Sequence, residues 1–186
     1  MSKLSPKRAA ESTTTITELM IPAYANFGGK IHGGIILSLM DKVAYACASR
    51  HAGTYCVTVT VDRVEFLQPV EVGELVSLTA SVHHVGRTSM VIGIRVESQD
   101  VKSGTIKHTN TSFFTMVAKG DDNKPAMVPE LILTSRADVD RFLDAMRLKT
   151  LREKVRHEME EASDVEDLGR AMEILKNERC ILDLNP

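Results

Sequence analysis

An acidic residue, Asp41, stands in the middle of an otherwise apolar stretch, and this contrast is the first indication of chemistry in the sequence. The stretch from Ile35 to Ser49 has the composition of a helix that is buried on most of its sides. A carboxylate in such surroundings needs either a partner charge or a chemical function. The structural explanation is that Lys42 neutralises the acid, or that the helix emerges into solvent there. The catalytic explanation is that Asp41 serves as a general base or as a nucleophile.

A glycine-rich turn comes directly before this helix and supplies a second chemical group. Glycines at positions 28, 29, 33 and 34 predict a turn that brings the start of the helix close to a ligand. The backbone N–H groups of Gly33, Gly34 and Ile35 have no partner within the helix. Together with the helix dipole, they form a natural oxyanion site for a carbonyl group.

The spacing between these two groups predicts a site that is shared by two chains. Asp41 lies about two turns from the start of the helix, which is roughly 10 Å by the helical rise. The acid of one chain is therefore too far from a carbonyl held at the helix tip of the same chain. We expect the acid to come from a second copy across a two-fold interface, in an obligate dimer.

Alternating apolar and polar residues predict strands on both sides of the helix. Residues 13–20 are rich in β-branched side chains and predict a first strand. Four further strands follow within residues 57–118, and their mainly short connections predict an antiparallel sheet. One face of that sheet can wrap around the apolar helix. The sequence therefore predicts an α+β fold, an antiparallel sheet wrapped around a long central helix.

A polar linker at residues 120–129 precedes a helical C-terminal part. Two amphipathic helices are predicted there: one has the apolar stripe Val139, Phe142, Leu143 and Met146, and the other opens with a Ser163–Glu166 capping box before the stripe Val165, Leu168, Met172 and Leu175. The predicted parts are a flexible N-terminus at 1–12, the sheet domain at 13–130 and a helical extension at 131–186. We interpret the extension as a docking or oligomerisation element, with a regulatory partner site as the alternative.

Composition excludes several classes of function. The net charge is −2, with 23 basic against 25 acidic residues, so the sequence lacks the excess of basic residues that is typical of nucleic-acid-binding proteins. No apolar run reaches the roughly 20 residues that span a bilayer. The first fifteen residues lack the apolar core of a secretory signal. Three cysteines that form no motif are interpreted as buried thiols in a reducing cytosol, which predicts a cytoplasmic protein.

The remaining reactive residue types do not point to a second site. Cys47 and Cys56 are interpreted as core residues, since nothing nearby in sequence activates a thiol. His83 and His84 are neighbours on a strand, so they are expected to point to opposite faces of the sheet. Two such histidines cannot form a simple metal site together, and no other ligand spacing occurs. The sequence therefore predicts no metal.

Three motifs together resemble one known family. They are H-G-G-I-I-L-S-L-M-D, then V-T-V-T-V-D-R-V-E-F-L-Q-P-V, then V-G-R-T-S-M. In this combination the chain resembles the hotdog-fold acyl-CoA thioesterases, in particular the brain acyl-CoA hydrolase group and its bacterial single-domain relatives. The resemblance covers residues 13–130, and the helical tail is also similar to that group.

The resemblance implies roles for residues around the helix start. Asp41 corresponds to the family's general base or nucleophile, and Asn26 to an asparagine that helps place the thioester or the attacking water. The amide of Gly34 would polarise the thioester carbonyl. His32 would either orient substrate or act as an acid, with a structural role as the alternative. Lys30 stands where some relatives have asparagine or aspartate, which leaves the local polar contacts of the turn and the preference for CoA or for the acyl group open.

The resemblance also implies the substrate and the assembly. Arg87, Thr88 and Ser89 would meet the phosphates of CoA, the first through its charge and the other two through hydrogen bonds. The expected reaction is hydrolysis of acyl-CoA to the free acid and CoA, as part of fatty acid metabolism and without a cofactor. The expected assembly is a homo-oligomer of dimers with shared sites, a trimer of dimers or hexamer.

Two other functions remain open at this point. One is a non-catalytic hotdog module that binds acyl-CoA as a sensor; it is disfavoured because neither a DNA-binding element nor a basic patch accompanies the domain. The other is a dehydratase of hydroxyacyl thioesters, which needs a catalytic histidine aimed into the substrate tunnel. An aspartate in place of that histidine argues against dehydration.

Overall fold

The computed structural model describes residues 4–162 and 168–183 of the chain. By compactness the chain divides into two units, Met1–Ala145 and Met146–Pro186. The first unit includes residues 131–145, which the sequence analysis assigns to the helical extension. The predicted capping residues Ser163 and Glu166 lie outside the described residues.

A five-stranded antiparallel sheet forms the body of the first unit. Its strands run in the spatial order β2-β4-β5-β6-β3, so the first strand and the strand after the helix form the two edges. They are β2 (Thr14–Leu19), β3 (Cys56–Val61), β4 (Leu75–Val85), β5 (Ser89–Gln99) and β6 (Ile106–Ala118). The predicted antiparallel sheet with one strand before the helix and four after it is confirmed.

The central helix, α2 (Gly33–Ala52), packs against the inner face of this sheet. Its end is set by Gly53, whose φ of 73° is a left-handed conformation that glycine adopts without strain. The core residues of the helix include Met40, Val43 and Ala44, which are fully buried. One face remains exposed and carries Leu37, Ser38, Asp41, Lys42 and Tyr45. A single sheet therefore covers only part of the helix, because the curl of five strands does not close around it.

The N-terminal residues are hydrogen-bonded to the end of α2. Residues 7–12 form a short strand β1 (Lys7–Arg8), which pairs with β7 (Leu131–Ile132), and the helix α1 (Ala9–Ser12), where the sequence analysis expects a flexible terminus. The Lys7 amine donates hydrogen bonds of 2.9 Å to the carbonyl oxygens of Arg50 and His51. A lysine at this place stabilises the negative end of the helix dipole.

A β-bulge on β4 overturns one expectation of the sequence analysis. The register shifts between Val82 and His84, so the two histidines do not alternate as they would on a regular strand. The His83 ring lies on the outer face over Gly93, where an added Cβ would stand 2.2 Å from it. The His84 ring lies on the same face and contacts Phe142 with ring centroids 4.6 Å apart. The prediction of opposite faces is therefore wrong.

The remaining elements are helical. A 3₁₀ turn, Pro22–Tyr24, follows β2. The helix α3 (Arg136–Ala162) starts in the first unit and contains the predicted stripe from Val139 to Met146. Phe142 of that stripe packs on the outer face of the sheet, through His84. In the second unit, α4 (Leu168–Leu175) covers part of the second predicted amphipathic helix.

Candidate active site

Asp41 lies on the exposed face of α2 and is bound to a hydroxyl of the edge strand β3. Thr58 Oγ1 donates a hydrogen bond of 2.6 Å to Asp41 Oδ1 and also approaches Met116 Sδ at 3.3 Å. Asp41 is exposed rather than buried, so its charge is solvated and needs no neutralising cation. The hydrogen bond holds one carboxylate oxygen in place, while solvent and substrate can reach the group.

Sequence reasoning missed Thr58. The only signal is the run V-T-V-T-V, in which threonines alternate with valines along one strand. On a regular strand that alternation would place the threonines on one face, but which residue is turned towards Asp41 depends on how β3 packs beside α2 and on the pairing of β3 with β6. A shift in register between Thr58 and Thr60 interrupts the strand directly after this contact.

A cleft of about 370 Å³ opens beside Asp41 between α2 and β3. Its lining combines charged, aromatic and backbone groups of the two elements: Asp41, Lys42, Tyr45, Tyr55, Cys56, Val57 and Thr58. The rings of Tyr45 and Tyr55 are tilted against each other with centroids 6.0 Å apart, and both residues are about half exposed. The cleft has the size of a small-molecule site and places a carboxylate against apolar ring surfaces.

The start of α2 has a different arrangement from the one the sequence suggests. His32 is the N-cap residue, and its ring Nδ1 accepts a hydrogen bond of 2.9 Å from the Gly34 N–H. The histidine therefore satisfies one of the amides that a helix start leaves open. For the Gly34 amide to bind a carbonyl oxygen, the exposed His32 ring has to turn away.

Asn26 organises the turn that leads into the helix. Its side-chain Oδ1 accepts hydrogen bonds from the N–H groups of Gly28, at 2.9 Å, and Lys30, at 3.2 Å. The asparagine thus stabilises the glycine turn through a local side-chain bond. Lys30 forms an ion pair of 2.6 Å with Glu71, so its charge is engaged with a neighbouring loop.

The turn between β4 and β5 brings Arg87, Thr88 and Ser89 to the same end of the sheet as the cleft. The Ala118 N–H donates to the Thr88 carbonyl at 2.9 Å, and Ala118 pairs with Cys56, a residue of the cleft. Two strand spacings separate Thr88 from Cys56, which is about 10 Å. The Arg87 side chain is exposed there.

The thiols of the first unit are not arranged for nucleophilic attack. Burial raises the pKa of Cys47 to about 12, against the opposing effect of Arg50. Burial also raises the pKa of Cys56, although this residue lines the cleft. Both groups are therefore neutral thiols at physiological pH, as expected for core residues. The third cysteine, Cys180, is exposed, so the expectation that all three are buried is wrong for this residue.

Within residues 4–162 and 168–183, no group of three or more His, Cys, Asp or Glu side chains could hold a metal ion. In the same described part of the chain, no helix combines the length and apolar character needed to cross a bilayer.

Comparison with known sequences places the chain among thioesterases. Residues 28–105 match the family model described as Thioesterase superfamily. Protein VdlD of Helicobacter pylori is 41% identical over 134 residues, which are 72% of this chain and 76% of VdlD. An uncharacterized acyl-CoA thioester hydrolase of Zymomonas mobilis is 35% identical over 66% of this chain and 85% of its own length. The rat cytosolic acyl coenzyme A thioester hydrolase is 29% identical over 74% of this chain, which spans only 36% of that longer protein.

Solved structures agree with this placement. An acyl-CoA hydrolase of Bacillus cereus matches with a TM-score of 0.79 and 34% identity, over 88% of this chain and 99% of that one. A hexameric acyl-CoA thioesterase in its apo form matches with a TM-score of 0.79 and 33% identity, over 82% and 98% of the two chains.

A third set of structures concerns an acyl-CoA hydrolase of Staphylococcus aureus. Two of them, each 25% identical to this chain, are variants in which an aspartate and a threonine, respectively, are replaced by alanine. Their TM-scores are 0.78, over 86% of this chain and 98% of that one, and 0.74, over 84% and 96%. The two replaced residues stand the same number of positions apart as Asp41 and Thr58.

Proposed function

This chain belongs to the thioesterase superfamily, and we propose that it hydrolyses acyl-CoA to the free carboxylic acid and CoA. The observation that carries the proposal is the Asp41 carboxylate, held by Thr58 beside an open cleft. A base of this kind can activate water, and an exposed carboxylate can also attack a thioester directly. The acyl-CoA hydrolases among the similar structures support the choice of substrate.

Asp41 acts either as a general base or as a nucleophile. As a general base it takes a proton from water while the water oxygen attacks the thioester carbon; the C–S bond then breaks, and the thiolate of CoA receives the proton. As a nucleophile it forms an anhydride with the acyl group and releases CoA, and water then hydrolyses the anhydride. In both cases Thr58 positions the carboxylate, because its hydroxyl holds one of the two oxygens.

The oxyanion of either reaction is bound by the Gly34 amide of a second protomer. This role requires His32 to release the amide, so we assign His32 a capping role that gives way when substrate binds. The Oδ1 of Asn26 accepts the hydrogen bonds of the turn. Its side-chain amide NH2 can orient the thioester or the attacking water. Neither step needs a metal or a redox cofactor.

CoA approaches along the end of the sheet that carries the β4–β5 turn. Arg87 supplies the positive charge for the phosphates, and the hydroxyls of Thr88 and Ser89 supply hydrogen bonds. A turn about 10 Å from Cys56 leaves the pantetheine arm room to follow the cleft towards Asp41.

The assembly we propose is a dimer with shared sites that associates further into a trimer of dimers. The edge strand β3 supports this, because Val59 is 60% exposed and Val61 is 42% exposed. An unpaired edge with apolar side chains is suited to pairing with another chain. The exposed face of α2, including Leu37 and Tyr45, lies next to it and would be covered as well. For the location we propose the reducing cytoplasm, which suits the free thiols of Cys47, Cys56 and Cys180.

Thiol release tests the function. The wild type and Asp41→Asn are assayed with a panel of acyl-CoA substrates, with the exposed Asp121→Asn as the matched control. We expect the wild type and the control to release CoA, and Asp41→Asn to lose about 10²–10⁴ in rate while keeping its fold. Acyl-CoA binding without release by the wild type would favour the sensor function. Equal activity of Asp41→Asn would show that the aspartate is structural.

A further inference from the structure

A second cleft lies on the other side of Lys42, beside the start of α2. We call this the helix-start cleft; its volume is about 240 Å³. Apolar side chains from β2 and α2 form most of its walls, namely Ile16, Ile35 and Leu39. Its polar groups come from the other lining residues: Glu18, Tyr24, Ser38 and Lys42.

Glu18 is the unusual member of this lining, because it occupies an inward-facing position of the sheet. On β2, Ile16 pairs with Leu78, and Glu18 pairs with Val76. Both partners on β4 are fully buried in the core, so Glu18 points to the same side as the core residues. Its next inward neighbour, Met20, is also buried. A carboxylate in a row of apolar positions costs stability unless it is hydrogen-bonded or serves a function.

Tyr24 provides the hydrogen bond. Its hydroxyl donates to Glu18 Oε1 at 3.1 Å, and this bond to the carboxylate raises the pKa of Tyr24. The phenol therefore stays protonated and acts as the donor. Among the residues that the structure describes, Tyr24 is the one donor to Glu18 and binds one carboxylate oxygen, so Glu18 brings a charge that is only partly satisfied by protein into the cleft.

The position of the cleft connects it to the reaction. Lys42 lines both the Asp41 cleft and the helix-start cleft, so the two are neighbours along α2. The carbonyl oxygen of Tyr24 accepts a hydrogen bond of 2.9 Å from the N–H of His32, the cap of the helix. Along α2, the helix-start cleft thus lies between Asp41 and the start of the helix in the same protomer, while the amide that meets Asp41 in the proposed reaction comes from the second protomer. CoA that enters from the β4–β5 turn reaches the Asp41 cleft first. The acyl group beyond the thioester then points along α2 into the helix-start cleft.

We propose that the helix-start cleft holds the acyl group, and that Glu18 restricts the enzyme to short acyl chains. The inference rests on the proposed hydrolysis of acyl-CoA. A short chain fills the apolar part of the cleft between Ile16, Ile35 and Leu39 and leaves the carboxylate hydrated. A longer chain has to displace the water around Glu18 without replacing its hydrogen bonds, which opposes binding. The volume of about 240 Å³, below that of a typical drug-sized pocket, agrees with a small acyl group.

The test compares kcat/KM for butyryl-CoA, octanoyl-CoA and dodecanoyl-CoA. Glu18→Leu replaces the carboxylate by an apolar side chain that is one heavy atom shorter and carries no charge, so we expect the ratio of dodecanoyl-CoA to butyryl-CoA to rise about tenfold. Tyr24→Phe keeps the carboxylate and removes its donor, so the ratio is expected to stay the same or fall. Thr17→Val changes the residue directly before Glu18, whose side chain lies on the other face of β2. This variant is the matched control, and its ratio of dodecanoyl-CoA to butyryl-CoA is expected to stay unchanged.

The outcomes separate this inference from the proposed function. Wild type that releases no CoA from any substrate contradicts the hydrolase itself. Wild type that hydrolyses the panel, with the same chain-length ratio in Glu18→Leu, contradicts only the acyl cleft. The conservative Glu18→Gln covers the case in which Glu18→Leu does not fold, since it keeps the shape and removes the charge. A rise of the ratio in Tyr24→Phe as large as in Glu18→Leu would also overturn the proposal, because loosening of the cleft would then explain both.

Discussion

Thr58 and Asp41 are joined by a hydrogen bond of 2.6 Å between an edge strand and the exposed face of the central helix. The bond links two residues 17 positions apart and holds the carboxylate at the mouth of a cleft. A threonine methyl and hydroxyl at this place orient the acid without covering it. The geometry suggests a positioning role for Thr58, which has consequences for kinetics.

Thr58→Val removes the hydroxyl and keeps the shape of the side chain. We expect kcat to fall about 10- to 100-fold with KM nearly unchanged, since the carboxylate remains but is no longer held in one orientation. Steady-state kinetics with butyryl-CoA measures both parameters. Thr58→Ser restores the donor and should recover most of the activity. A Thr58→Val enzyme with wild-type kcat would remove Thr58 from the mechanism.

His32→Ala separates the capping role of this residue from a catalytic one. The variant loses the hydrogen bond from the Gly34 amide, so the free energy of unfolding should fall by about 1 kcal/mol. The released amide can still bind an oxyanion, so we expect kcat to change less than tenfold. Chemical denaturation and thiol release measure the two effects. His32→Asn, which can accept the same bond, is the control for stability, and a loss of activity above about 100-fold in both variants would indicate a catalytic histidine.

Mixing two inactive chains tests the shared site. Gly34→Pro removes the amide N–H at a place in the first helical turn where proline is tolerated, and Gly34→Ala keeps the N–H as the control. Asp41→Asn and Gly34→Pro are each expected to be inactive. Co-expressed in equal amounts, they should regain about a quarter of wild-type activity, because half of the random dimers contain one intact site of two.

Continued inactivity of well-formed mixed dimers would place both groups in one protomer. Sedimentation of the purified wild type supplies the second check. A stable monomer that hydrolyses acyl-CoA would contradict the dimer and the shared site together.

The pH dependence of stability should depend on His83. Burial on the outer face of the sheet, with a further contribution from Arg141, lowers the pKa of His83 to about 4, against the opposite effect of Asp138 and Asp144. Between pH 6.5 and pH 4 the unfolded chain binds a proton at this residue that the folded chain does not. The free energy of unfolding therefore falls as the pH falls through this range, by about 3 kcal/mol in total.

Urea denaturation at several pH values measures this slope. His83→Phe retains an aromatic ring beside Phe113, whose ring centroid lies 5.7 Å from that of His83, and removes the titrating group. We expect a flatter pH dependence between 6.5 and 4 in the variant. Carboxyl groups with lowered pKa values, such as Asp138 and Glu74, still destabilise both proteins as the pH falls towards their range. An equal slope in the two proteins above pH 4.5 would contradict the role of His83.

Much of the fold could be predicted because the relevant signals are local. The alternation of Val76, Leu78 and Ala80 with polar residues specifies a strand with one buried face. Consecutive strands joined by short connections pair antiparallel, because parallel strands need a long crossover connection. The end of the central helix at Gly53 is equally local, since glycine takes the left-handed conformation there. Asp41 was recognisable for the same reason, as a charge among apolar neighbours.

Contacts between distant segments could not be predicted. The β-bulge that turns His83 and His84 to the same face depends on the pairing of β4 with β5, which a pattern of two alternating faces does not reveal. The hydrogen bonds from Lys7 to the end of α2 join residues more than forty positions apart. Nothing in the polar N-terminal sequence itself indicates this contact.

The sequence by itself therefore determined the five strands of the main sheet, the central helix, their order along the chain, the antiparallel pairing and the acid on the central helix. Each of these follows from periodicities of 2 and 3.6 residues or from a few adjacent residues. Only the tertiary structure decided that Asp41 is held by Thr58, that His32 occupies the Gly34 amide, and that Glu18 faces the cleft at the helix start. The physical reason is that hydrogen bonds and clefts depend on distances between side chains of different elements, and these distances exist only after the sheet has packed on the helix.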